Sequence, residues 1–262
     1  MIILVLILFG LVLGSFVNAL VWRLHEERDF VRERSECPHC HHVLAPKDLV
    51  PVASWLWLKG KCRYCHKRIP DTPLAELLVP VVFVLSYVYW PQPFVGVGLY
   101  TFVLWLVFVV GFAALALYDF KWFILPDKIV FPLMALTALQ VLGAWVCFGQ
   151  SWHVPVDAAI GALLMSGIFY GIYLISGGKW IGYGDVKLAL VLGALAGGAL
   201  PALLVLLVAS VVGLVVALPL LLTGRATAKS HLPFGPLLLT GTLVVVLWGT
   251  SIINAYTRLF TP

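Results

Sequence analysis

The chain has 262 residues, of which 62% are hydrophobic and only 11% charged, with a formal net charge of +5 and a mean hydropathy of +1.03. Soluble globular domains carry about 25% charged residues, so this composition excludes an ordinary soluble domain and points to an all-α polytopic membrane protein. The positive balance does not indicate nucleic acid. The basic residues fall in short loops between apolar runs, where membrane topology places them, so membrane lipids and membrane-held substrates are the expected partners.

Met1 to Val21 is long enough to cross a hydrocarbon core of roughly 30 Å. No basic segment precedes it and no small-residue cleavage site is evident, so it reads as a retained helix rather than a removable signal. Positive charge begins after it, at Arg23, which places the N-terminus outside and the next segment in the cytoplasm. Residues 23–73 are the soluble-looking part and hold ten of the seventeen Lys and Arg. So short a region buries little core unaided, and a metal staple is expected. Within it, Val50 to Leu58 is apolar and aromatic, suited to resting on the membrane interface, where Trp is favoured.

Seven further apolar segments follow, at Leu74–Trp90, Phe94–Tyr118, Ile129–Phe148, Val156–Ile175, Val186–Gly197, Leu200–Leu222 and Pro233–Ile253. Together with the first they make about eight transmembrane helices. Threaded alternately, they put the loops at 23–73, 119–128, 176–187 and 223–232 in the cytoplasm. Those loops hold ten, two, two and two of the basic residues, sixteen of seventeen, with Arg258 the exception. Val186–Gly197 is short: 12 residues rise only about 18 Å. A helix of that length begins below the surface, thins the bilayer or borrows residues from Leu200 onward; if it begins below the surface, Asp185 sits at membrane depth on a turn that lines a polar cavity.

Cys37-Pro38-His39-Cys40 and Cys62-Arg63-Tyr64-Cys65 are separated by 21 residues. Paired Cys-x-x-Cys turns at this spacing suit one tetrahedral structural Zn²⁺ in a zinc-ribbon-like domain. Four thiolates leave no open position for water, so stability rather than chemistry is the expected role. His39, His41, His42 and His66 are expected on the surface, and Cys147, alone in an apolar run, as a small packing residue.

A charged side chain at the bilayer centre costs about 2.5–3.5 kcal/mol on insertion scales, so each carboxylate near an apolar segment needs a reason. Asp71, Asp127 and Asp157 are read as interfacial residues that reach water, and Glu76 enters the second apolar segment behind Pro73. Asp119, in Leu117-Tyr118-Asp119-Phe120-Lys121, and Asp185, in Gly182-Tyr183-Gly184-Asp185, both fall at the cytoplasmic side of one bundle. They are 66 positions apart, so only tertiary folding brings them together. Two adjacent carboxylates share a proton and supply a base and an acid for amide hydrolysis.

These residues resemble the type IV prepilin peptidases, intramembrane aspartyl proteases of the glycine-x-glycine-aspartate class. The resemblance spans almost the whole chain. It includes Gly14-Ser15-Phe16-x-Asn18 with Arg23-Leu24, both cysteine pairs with Ser54-Trp55-Leu56 and Lys59-Gly60-Lys61-Cys62, Leu125-Pro126-Asp127, and Pro233-Phe234-Gly235-Pro236. It implies Asp119 and Asp185 as the catalytic pair, and cleavage of the leader of prepilins or type II secretion pseudopilins on the cytoplasmic face of the bacterial inner membrane. It also implies methylation of the new N-terminus with S-adenosylmethionine. Glu76 is a candidate for the methyl-donor site, although Asp71-Thr72-Pro73-Leu74-Ala75-Glu76 departs from the family's pattern there. The expected domains are a first transmembrane helix over 1–22, a cytoplasmic zinc domain over 23–73, and a membrane peptidase domain over 74–262. The alternative is a transporter or proton pathway using the same aspartates, which would be expected to show internal repeats; none is evident.

Overall fold

The computed structural model describes residues 1–29, 34–69, 72–224 and 232–260. Asp71 and most of the 223–232 loop lie outside the described residues. The helices are α1 (Ile2–His25), α2 (Ala53–Trp57), α3 (Leu74–Tyr89), α4 (Val97–Trp122), α5 (Asp127–Val146), α6 (His153–Ser176), α7 (Tyr183–Ala196), α8 (Ala199–Leu222) and α9 (Phe234–Phe260). Among the described residues there is no strand, only the isolated bridges Glu36–Val43 and Lys61–Arg68. Apart from the short α2, these are eight apolar helices, matching the eight apolar segments of the sequence. Six of them (α1, α4, α5, α6, α8 and α9) are long and apolar enough to cross a membrane. The remaining two, α3 with 16 residues and α7 with 14, are shorter. The protein is a multi-pass membrane protein.

Several helix boundaries differ from expectation by a few residues, and two of them concern the aspartates. Helix α4 runs past Asp119 to Trp122 and stops where Phe123 adopts a left-handed conformation (φ 54°), because Phe120, Lys121 and Trp122 contain no helix breaker and Pro126 comes only later. Helix α7 begins at Tyr183, with Gly182 as its N-cap residue, so Asp185 lies inside its first turn. The α7–α8 turn needs its two glycines: Gly197 and Gly198 hold φ of 72° and 144°, which side chains with a Cβ rarely adopt.

The chain divides into two compact units. One comprises residues 1–88 and 106–117, the other residues 89–105 and 118–262. In the first, α1 and α3 touch backbone to backbone. A Cβ at Gly14 would stand 2.5 Å from the Ala75 carbonyl oxygen, and one at Gly10 2.5 Å from Pro80 Cα. Small residues permit such contacts where lipid supplies no hydrophobic drive between helices. Val17, Val21, Phe83, Phe108 and Leu115 are fully buried in this unit. In the second unit α6 and α7 cross as closely, with Gly161 against the Gly193 carbonyl, while Met165, Leu188, Leu192 and Leu238 are fully buried.

Candidate active site and metal centre

The four cysteines Cys37, Cys40, Cys62 and Cys65 converge, with all their sulfurs within 4.8 Å of one another. Two near-identical turns achieve this. In the first, the Cys37 N–H donates to the His42 carbonyl (3.0 Å) and the His41 N–H to the Cys37 carbonyl (2.9 Å). In the second, the Cys62 N–H donates to the Lys67 carbonyl (2.9 Å) and the His66 N–H to the Cys62 carbonyl (3.0 Å). His41 and His66 adopt matching positive φ of 55° and 56°. The second turn thus repeats the first with every residue shifted by 25 (62 minus 37).

A tetrahedral zinc with Zn–S bonds of 2.3 Å separates its sulfurs by about 3.8 Å; Cys37 and Cys65 are 3.9 Å apart. The donor set therefore fits zinc. Burial pushes the Cys37 thiol up, but the N–H groups of His39 and Cys40 and the neighbouring thiols outweigh it and hold Cys37 at about 7. The His42 N–H favours the Cys40 thiolate, yet burial and the other sulfurs raise Cys40 to about 11. Without metal these thiols resist shared ionisation, which a divalent cation relieves.

The surrounding side chains brace the module. Asp48, whose side chain is 3% exposed, accepts from Arg63 Nε (2.6 Å), from the Tyr64 hydroxyl (3.0 Å) and from the Ala45 N–H (3.2 Å). Burial alone would raise its carboxyl, but those donors hold it below the usual carboxylate range. The histidines are engaged away from the sulfurs: His39 lies 3.1 Å from the Arg68 carbonyl, His41 beside Glu36, and His42 against the Tyr64 ring.

In the second unit, Asp119 is buried at 6% exposure, and its Oδ2 accepts the Gly235 N–H at 3.1 Å. That donor belongs to the first turn of α9, where helix N–H groups have no intrahelical acceptor. A Cβ at position 235 would stand 2.7 Å from the same oxygen, so glycine is required for the approach. Asp185 is half-buried, with Oδ2 accepting the Gly182 N–H at 3.2 Å. The two carboxyls lie close enough to interact electrostatically.

Three features around the pair were not anticipated from the sequence. The buried Leu125 wedges between the two turns. A Cβ at Gly184 would meet Leu125 Cβ at 3.0 Å, and one at Gly235 would meet Leu125 Cδ2 at 3.3 Å. Asp127, expected only to reach water, is exposed but accepts two hydrogen bonds from Lys187 Nζ, at 2.7 and 2.8 Å. Lys187 follows Asp185 by two positions, so this pair ties the start of α5 to the first turns of α7. Ser166 of α6 adds a third tether, donating to the Val186 carbonyl at 3.1 Å. The only sequence signals were the proximity of Leu125-Pro126-Asp127 to Asp119 and of Lys187 to Asp185.

Glu76 lies in the first unit, where its Oε2 accepts the Val52 N–H. It lines a cavity of about 210 Å³ together with Ser15, Asn18, Trp22 and Trp55. Trp55 Nε1 is buried without a hydrogen-bond partner among the described residues.

Fold and site define a class: an all-helical, multi-pass membrane protein with two interacting aspartates on helix turns and a four-cysteine module. Residues 8–90 match the family described as the bacterial peptidase A24 N-terminal domain, and residues 106–218 match the type IV leader peptidase family. The chain is 32% identical to a prepilin leader peptidase/N-methyltransferase of Aeromonas hydrophila over 95% of its own length and 91% of the relative's. It is 30% identical to one from Bacillus subtilis (strain 168), over 97% and 98% respectively. It is 34% identical to a type 4 prepilin-like proteins leader peptide-processing enzyme of Escherichia coli O78:H11, over 90% of each. No solved structure matches. The chain belongs to the type IV leader peptidase family.

Proposed function

We propose that this protein is a membrane aspartic endopeptidase that removes the leader of type IV prepilins or type II secretion pseudopilins and then N-methylates the exposed residue. The observation that carries the peptidase reading is the meeting of Asp119 and Asp185, distant in sequence, on two adjacent helix turns. Aspartyl hydrolysis needs one member of such a pair ionised and the other protonated. The ionised member takes a proton from water as it attacks the scissile carbonyl, and the protonated member donates to the carbonyl oxygen. The proton then passes to the leaving amine. The Gly182 and Gly235 N–H groups fix one oxygen of each aspartate and leave the other for water or substrate.

The site faces the cytoplasm and the protein sits in the bacterial inner membrane, an orientation supported by the positive-inside distribution of sixteen of seventeen basic residues. The chain works as a first helix over 1–22, a cytoplasmic zinc module over 23–73 and a peptidase domain over 74–262. Cys37, Cys40, Cys62 and Cys65 hold the zinc, whose role is structural.

S-adenosylmethionine supplies an electrophilic methyl group on a sulfonium cation. The cavity beside Glu76 suits part of such a molecule. The orphaned Trp55 Nε1 offers a donor, Asn18 a carboxamide and Glu76 a carboxylate. Its volume of about 210 Å³ lies below the roughly 300–1,000 Å³ of pockets that enclose a whole ligand, so the rest of the donor would extend outside it.

Incubating purified protein with a prepilin in detergent tests the peptidase reading. Wild type is expected to cleave the leader, and Asp119→Asn and Asp185→Asn are expected not to. Cleavage undiminished in both variants would reject the aspartyl mechanism and leave room for an ion pathway.

A further inference from the structure

The cavity and the metal centre leave one prominent feature of the first unit unused. Val50, Leu56 and Trp57 are 48%, 61% and 84% exposed, an apolar patch on a module otherwise rich in charge, while the neighbouring Leu49 lines the cavity. Helix α2 creates it by facing two ways. Ser54, Trp55 and the adjoining Leu58 turn toward the cavity, whereas Leu56 and Trp57 turn outward. The helix is bracketed by Val52 and Lys59, both with positive φ, 58° and 52°, Val52 at the centre of a tight turn in which the Ala53 N–H donates to the Pro51 carbonyl. For a β-branched valine this conformation is strained and persists only where its surroundings impose it. At Val52 they do so through the hydrogen bond from its N–H to Glu76.

That bond and the shared cavity fix the level at which α2 sits. Ser54, Trp55 and Leu58 line the same cavity as Ser15, Asn18, Ala19 and Trp22 of α1. Ser15 precedes the end of the apolar run at Val21 by six residues, about 9 Å along a helix. Interfacial helices bury their apolar faces about 5–10 Å into the headgroup and acyl boundary. The neighbouring helices carry exposed apolar side chains around this level: Val12 and Phe16 on α1 are 59% and 44% exposed, and Leu74 and Leu77 on α3 are 41% and 49%. Lys47, Lys59 and Lys61, all exposed, flank the patch with positive charge, which suits the anionic headgroups of a cytoplasmic leaflet.

We propose that Val50, Leu56 and Trp57 form a membrane-seating surface that inserts into the lipid interface and continues the apolar band of α1 and α3. The metal module is therefore an interfacial body, moored to the bilayer by α2, and not a domain suspended in the cytosol. The cavity lined by Trp55, on the inner side of the same short helix, is held at the depth where lipid gives way to water.

The test uses the full-length protein labelled with fluorotryptophan in nanodiscs of phosphatidylcholine and phosphatidylglycerol. The Trp57 fluorine resonance is identified by its loss in Trp57→Phe, a conservative change at a surface position. A lipid bearing a nitroxide near its glycerol is expected to broaden that resonance several-fold more than a water-soluble gadolinium chelate does. Equal broadening by the two agents, or greater broadening by gadolinium, overturns the proposal and assigns the patch to water or to a protein partner. A second measurement compares the Trp57 broadening by the nitroxide lipid in nanodiscs containing and lacking phosphatidylglycerol. Exchanging Lys47, Lys59 and Lys61 for Gln is expected to abolish the effect of the anionic lipid on Trp57 broadening while zinc content is unchanged. Persistence of that effect in the triple variant rejects the basic rim.

Discussion

The metal module and the aspartate site solve the same problem, gathering polar groups where water is scarce, by opposite routes. The four sulfurs come from two short turns, each closed by its own backbone hydrogen bonds, and the second repeats the first at an offset of 25 residues. The two carboxylates come from helices far apart in the chain. Each is fixed by a single N–H, and Leu125, the Asp127–Lys187 pair and Ser166 hold the surrounding turns. Local construction leaves the module to be held by whatever joins its four sulfurs, the role proposed for zinc, and tertiary construction makes the aspartate site dependent on its neighbours.

The largest expected effect separates the two regions outright. Asp119→Asn or Asp185→Asn should lower leader cleavage by roughly 10²–10⁴-fold, the usual contribution of a general acid or base, while bound zinc, measured by atomic absorption, stays at the wild-type level. Zinc loss in those variants would mean that the regions are not independent. Next in size is Gly235→Ala. Its methyl would meet Asp119 Oδ2 at 2.7 Å, and displacement by about 1 Å costs on the order of 10²-fold in rate. A prepilin cleavage assay showing an unchanged kcat would mean that the Asp119–Gly235 contact has no part in the chemistry.

The metal arm is tested by replacing Cys37 and Cys62 with Ser, or by chelation. Both cysteines are buried, so zinc content should fall and the module should become sensitive to limited proteolysis, with cuts between residues 34 and 69. Full zinc occupancy in the double variant would overturn the four-thiolate site. A smaller effect is expected at the Asp127–Lys187 pair. Exposed ion pairs contribute only about 0.2–1 kcal/mol, so Asp127→Asn and Lys187→Met should each reduce kcat a few-fold, and together no more than either alone. Additive losses in that double-mutant cycle would show that the residues act separately.

The smallest effect concerns pH. Asp48 is ionised more readily in the folded module than in the unfolded chain, where its pKa is about 3.9. Its contribution is therefore complete above that value and is lost as pH falls toward the depressed native pKa. Asp48→Asn should flatten the acid limb of the module's unfolding curve, followed by Trp fluorescence, and leave the neutral region offset but parallel. An acid limb identical to wild type would show that other carboxylates govern it.

Much of this architecture was written in patterns short enough to read. Long apolar runs had to become helices because lipid offers backbone groups no partners, and paired Cys-x-x-Cys turns had to converge. The short reach of the segment after Asp185 was also visible. What the sequence concealed was non-local. Nothing in Phe120-Lys121-Trp122 announces that α4 continues past Asp119, because helix extension there depends on the absence of a breaker. Gly235, 116 positions from Asp119, was legible as part of a motif but not as a hydrogen-bond donor. Asp127 looked like a residue reaching water because its partner, Lys187, lies 60 positions away. The cavity beside Glu76 also depends on a meeting of α1, α2 and α3 that no periodicity encodes.

The backbone contact of Gly14 with Ala75 has a consequence for how this protein can change over time. Helices α1 and α3 meet backbone to backbone there, and the 48 residues between His25 and Leu74 leave and rejoin the pair. The metal module is thus an excursion from the α1–α3 hairpin. Lengthening or trimming such an excursion alters the entropy of closing its ends only logarithmically, by about 0.6 kcal/mol per doubling. Remodelling of that insert is therefore limited less by chain entropy than by its own contacts with the hairpin, the Val52 N–H on Glu76 and the wall of the shared cavity.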